Sequence, residues 1–107
     1  MTGSMLERLQ VALAALGNAY HYVAAPNSTP PYMVWAEDGD NDLLAGNVHA
    51  ERCYTGTVDL YTKVDKDPLF SAIPEALEGI GAAWYLNSVQ YEEDTGLIHY
   101  EWVWEVV

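Results

Sequence analysis

Asp38, Asp40 and Asp42 alternate through the stretch EDGDND, the one place in the chain where carboxylates are spaced as in a helix-loop-helix calcium loop. The match ends there. The sixth position, where such a loop turns on glycine, is Leu43, and the twelfth, where it needs a bidentate glutamate, is His49. A solvated acidic segment is the better reading. His49, Glu51 and Cys53 stand at odd positions and would share one face of a strand, with types suited to a thiol nucleophile and its base. No glycine turn or helix start accompanies them to hold an oxyanion, so Cys53 reads as a small side chain on a sheet. His21 and His99 fall at strand positions without a ligand-spaced partner. Gly79-Ile80-Gly81 follows a helical pattern rather than a strand, the wrong context for a phosphate loop. The sequence therefore predicts no catalytic residue, no cofactor and no metal.

Composition narrows the field further. Half of the 107 residues are apolar, enough for a single folded domain over residues 1–107. Sixteen Asp and Glu oppose four Lys and Arg, and a net charge of -12 argues against direct binding to nucleic-acid phosphates or to anionic membrane. It suits cationic partners, or a surface past which DNA must slide. The single cysteine excludes an intrachain disulfide and a cysteine-rich zinc site, and points to a reducing compartment. With neither a secretory leader nor a run of ~20 apolar residues, a soluble intracellular protein is expected.

The elements that position these residues are legible from periodicity. Ser4 and Glu7 form a capping box ahead of Leu6, Leu9, Leu13 and Leu16, predicting a helix over Met5 to Leu16 stopped by Gly17. A short strand, Ala19 to Val23, and a second, Tyr32 to Glu37, flank a polar loop ending in Pro30-Pro31. The acidic run from Glu37 to Asp42 is then a loop leading toward a turn at Leu43 to Gly46. A further short strand, Asn47 to Ala50, keeps phase with Tyr54. Cys53 to Thr62 is the organising strand, at or near the sheet centre, with Tyr54, Val58 and Leu60 on its buried face. Gly56 on that face marks a bulge or the close approach of a group lying across the sheet.

Asp67-Pro68 opens a second helix carrying Leu69, Phe70, Ile73, Ala76, Leu77 and Ile80. Pro74 leaves open whether it kinks or starts only near Ile73. Trp84 to Tyr91 and Leu97 to Val106 form a hairpin around Asp94-Thr95-Gly96, with Ile98, Tyr100, Trp102, Trp104 and Val106 as the core face of its second strand. Trp35 is out of phase with Tyr32, Val34 and Ala36, so one of the two sets must lie on the outer face. An apolar outer face would be an interaction surface. The order α-β-β-β-α-β-β predicts an α+β fold, a mostly antiparallel sheet of four to five strands with two helices packed on one face.

PPYMVWAEDGDNDLLAGN, the strand ending DLYTK, KDPLF with its helix containing EAL, and the hairpin closing on HYEWVWEV follow one another over Met5 to Val107. In that order they resemble the small tail-completion proteins of long-tailed phages and prophages, the tail-terminator or head-tail connector group. The resemblance implies a structural virion component, assembled in the host cytoplasm and sited in the tail or neck. It would form a homo-oligomeric, usually hexameric, ring that caps the tail tube protein and meets the head connector protein, with DNA passing through unbound. No enzymatic residue comes with the resemblance. On its premise Glu37, Asp38, Asp40 and Asp42 are expected to line the channel, because carboxylates there repel a sliding duplex. Two other readings stand beside it: another neck or head-tail joining protein, and, from the charge alone, a monomeric acidic DNA mimic.

Overall fold

The computed structural model describes residues 4–40 and 54–106. Alternation over residues 54–62 builds its central strand. Gly56, Val58, Leu60 and Thr62 are buried, while Thr55, Thr57, Asp59 and Tyr61 face the other way, half-buried. The elements in chain order are α1 (Met5–Ala14), β1 (Ala19–His21), β2 (Tyr32–Asp40), β3 (Tyr54–Thr62), α2 (Leu69–Gly79), β4 (Ala83–Glu92) and β5 (Leu97–Val106). They form a five-stranded sheet ordered β1-β2-β3-β5-β4, antiparallel except for the β1–β2 pair. This is the α+β architecture that the periodicity predicts.

Both helices lie on one face. Leu9 and Leu13 of α1 and Ile73 and Leu77 of α2 close over Met33, Trp35, Val58, Leu60, Trp102, Trp104 and Val106 in one apolar cluster. Trp35 thus belongs to the core, and Tyr32, Val34 and Ala36 take the open face.

Three elements end two or more residues from expectation, each for a local reason, and the alternatives left open by Pro74 are decided. The capping box is present, with Ser4 Oγ accepting from the Glu7 N–H at 3.2 Å and Glu7 Oε1 accepting from the Ser4 N–H at 3.0 Å. However, α1 stops at Ala14 rather than Leu16, because Leu16 N–H bonds the Leu13 carbonyl in a tighter turn. β1 ends at His21 rather than Val23 because Tyr22 adopts φ 73° and leaves the strand. β2 continues through Glu37, Asp38, Gly39 and Asp40, where a loop is expected. Glu37 is held on the helix side by His21 and Tyr22, and a bulge between Glu37 and Gly39 turns Asp38 to the open face and carries the strand through the run. Finally, α2 runs through Pro74 from Leu69, so the separate turn is not formed. The residues from Asn41 to Cys53, with the expected turn at Leu43 to Gly46 and the short strand at Asn47 to Ala50, lie outside the described residues.

Asp67 supports the start of α2 as the sequence suggests, though from one position earlier than a conventional cap. Its Oδ1 accepts from the Leu69 N–H at 2.8 Å and its Oδ2 from the Thr62 hydroxyl at 2.6 Å. Asp67→Ala removes the cap and leaves the fully buried Thr62 hydroxyl without that acceptor. A loss of about 1 to 3 kcal/mol follows, readable in urea unfolding. Asp67→Asn retains an acceptor oxygen and recovers part of it.

Candidate functional site

The face of the sheet opposite the helices is covered by no described element, and the register assembles on it a row of rings that sequence spacing does not reveal. Tyr20 of β1 meets Tyr32 of β2 edge-on at 6.3 Å between centroids. Tyr32 stacks on Tyr61 of β3 at 5.1 Å, and Tyr61 stacks on His99 of β5 at 4.3 Å. The row forms because Tyr32, Tyr61 and His99 are direct cross-strand partners, at the distance where aromatic pairs attract. The sequence carried half the signal. It placed each residue on an alternating strand, but the pairing of strands distant in the chain decided that they meet.

Beside the row, His99 Nε2 lies 2.8 Å from Asp59 Oδ1. Glu101 is the direct partner of Asp59 across the β3–β5 ladder and accepts from Asn87 Nδ2 at 2.8 Å. Burial raises the Asp59 carboxyl above its ordinary value. The hydrogen bond to His99 pulls the other way, and the charge of Glu101 adds to the rise. The Tyr61 phenol is pushed up to about 12, first by burial and then by the charge of Asp59.

These shifts fix a sign. A carboxyl with a raised folded pKa holds its proton more tightly in the folded chain, so its contribution is fully present below the unfolded value. It is lost as pH rises through the folded value. Asp59→Asn removes this dependence. Urea unfolding of the two chains from acid to neutral pH is expected to shift steadily in favour of the Asn variant.

The candidate channel residues separate. Glu37 is on the helix side of the sheet, beyond the core, where its Oε1 lies 2.7 Å from His21 Nε2 and its Oε2 accepts from the Tyr22 hydroxyl at 2.7 Å. His21 is itself stacked between Tyr22 and Trp35, at 4.0 and 3.9 Å. Partial burial works to raise the Glu37 carboxyl. The hydrogen bonds from His21 and Tyr22 overcome it and hold the pKa below the ordinary range. Its stabilising contribution is therefore present at neutral pH and lost as pH falls through the folded value. Asp38 points to the open face, where its Oδ1 accepts from the Thr55 hydroxyl at 3.0 Å. Asp40 closes β2, and Asp42 lies outside the described residues, as do His49, Glu51 and Cys53. His21 and His99, without partners in the sequence pattern, each pair with a carboxylate. Among the described residues, no group of three or more His, Cys, Asp and Glu side chains is placed to hold a metal ion.

A second surface lies along the sheet edge. β4 is an outer strand of ten residues, and Tyr85, Leu86, Val89 and Tyr91 along it are exposed by 38 to 65%.

No protein-family model matches the chain, and no curated protein does. Among solved structures, the fold is similar to a chain of the virion of a native gene transfer agent particle. Identity is 10%, the match covers 95% of this chain and 89% of that one, and the TM-score is 0.46. At that score the likeness is one of outline.

Proposed function

We propose that this protein is a structural component of a phage-like virion, a tail terminator or tail-completion protein. It works by binding other copies of itself, the tail tube protein and the head connector protein. The observation that carries this reading is the open sheet face crossed by the Tyr20, Tyr32, Tyr61 and His99 rings. A face on which half-buried rings stand beside the carboxylates of Asp59 and Glu101, flanked by a long edge that no other described strand pairs, is suited to protein contact. The particular assembly proposed, a ring in the neck between tail and head, rests on the order of sequence motifs and on the hexameric ring of the group they resemble. A DNA mimic fits less well, because it needs carboxylates arrayed on one surface, whereas Glu37 and Asp38 engage partners on opposite sides of β2.

Incubation with purified tail tubes lacking their terminator tests the reading. The protein is expected to cap the tube ends as a ring visible by electron microscopy. Binding to connectors but not to tubes would favour another neck protein. Binding to neither overturns the assignment.

Within such a ring, Asp38, Asp40 and Asp42 are proposed to supply the negative lining that keeps DNA sliding, Glu37 being turned to the other side of β2. Glu37 is held by His21 and Tyr22, which leaves the three aspartates as the groups to replace. Converting Asp38, Asp40 and Asp42 together to Lys is expected to leave assembly intact and to slow DNA ejection in a salt-dependent way. Normal ejection at low salt from correctly assembled virions would refute the lining role.

A further inference from the structure

Edge strands are usually guarded by Lys, by Pro or by shortness. β4 has none of these three, its one guarding feature being a bulge between Leu86 and Ser88, and from Ala83 to Tyr91 it carries no charged residue in a chain of net charge -12. Two copies of so acidic a chain repel each other over most of their surface. They can approach closely where the charge is absent, and the β4 edge is such a strip.

The bulge in β4 specifies how two such strips could fit. Directly opposed residues of an antiparallel pair must lie on the same face. The register with β5 shifts between Leu86 and Ser88, so Trp84, Leu86, Val89 and Tyr91 face the helix side, while Tyr85, Ser88 and Gln90 face the open side. If two β4 strands run antiparallel about a twofold axis between Asn87 and Ser88, Leu86 opposes Val89 of the second copy and Trp84 opposes Tyr91. On the open side, Tyr85 opposes Gln90. Every pair matches in face, and a slip of one residue in either direction destroys the match. Asn87, the extra residue, reaches back over its own sheet to Glu101 at 2.8 Å and leaves the edge clear.

We propose that β4 binds β4 of a second copy in this register, joining two sheets into one across a twofold axis. The contact is isologous and self-limiting, a pairing of two chains rather than the repeated head-to-tail contact of a ring. It goes beyond the ring reading and does not depend on it. One strand pair about 33 Å long covers less than the ~800 Å² per partner of a standard interface, so the dimer is weak and forms with rising concentration.

Two measurements test it, both with Cys53 replaced by Ser. Chains carrying Tyr85→Cys and Gln90→Cys, both at exposed positions, are tagged separately and oxidised alone and mixed. The mixed disulfide is expected to form at least tenfold faster than either like-with-like product, since only unlike positions oppose each other. In sedimentation equilibrium, Val89→Glu is expected to weaken dimerisation at least tenfold, with the circular dichroism spectrum confirming the fold. A parent chain that stays monomeric at millimolar concentration overturns the proposal, whether or not it caps tail tubes. Like-with-like cross-linking at the mixed rate, or a dimer indifferent to Val89→Glu, also overturns it.

Discussion

Replacing Trp102 by Ala is expected to lower the free energy of unfolding by about 3 to 5 kcal/mol, the range for deleting a large aromatic from a packed core. Trp102 is 1% exposed and sits between Val58 of β3 and Leu86 of β4, its direct partners across the sheet. Phe70 of α2 covers it at 5.7 Å, and Tyr100 stacks at 5.9 Å. Removing the indole leaves a cavity walled by two strands and a helix that hydrogen bonds hold in place, so the site cannot readily collapse. For a domain whose whole stability is on the order of 5 to 15 kcal/mol, the loss is severe. Urea unfolding followed by circular dichroism measures it. The exposed Tyr85→Ala serves as the comparison and is expected to cost less than about 1 kcal/mol. Equal losses in the two variants would show that the helix-covered face is not the core.

Gly56→Ala is expected to be nearly as damaging, although it adds only a methyl group. A Cβ at this position would overlap the Ala36 carbonyl oxygen and the Trp104 ring, and would press on the Glu37 Cα. Two of these three obstacles are backbone of β2, held by the ladder to β3, and cannot rotate away. Overpacking of this kind costs about 1 to 3 kcal/mol, and a clash against backbone belongs at the upper end. Trp104→Phe in the same chain shortens the ring and relieves one obstacle. It is expected to recover part of the loss relative to the two single variants, while the carbonyl clash persists. Additive losses in the double variant would show that the Trp104 ring does not cross Gly56.

The sequence by itself determined the element order, both helix-covering stripes, the central position of the 54–62 strand and the core face of β5. These are repeats of period two or near 3.6, and a period is a local property that needs no knowledge of which strands meet. Gly56 was legible for the same reason, since a glycine on the apolar face of a strong strand pattern signals that another group occupies its space. The tertiary structure decided the rest. Strand pairing chose Trp35 over Val34 as the core residue, because Met33 and Trp35, the odd positions ahead of the bulge in β2, pack in the cluster under α1 and α2. Pairing also drew Glu37 and Asp38 into β2 and sent them to opposite faces, where charge density alone suggested one acidic loop. Tyr20, Tyr32, Tyr61 and His99 are separated by most of the chain, and the ladder alone makes them neighbours. No local pattern encodes a contact between residues so far apart, because it forms only after the sheet has closed around the residues between them.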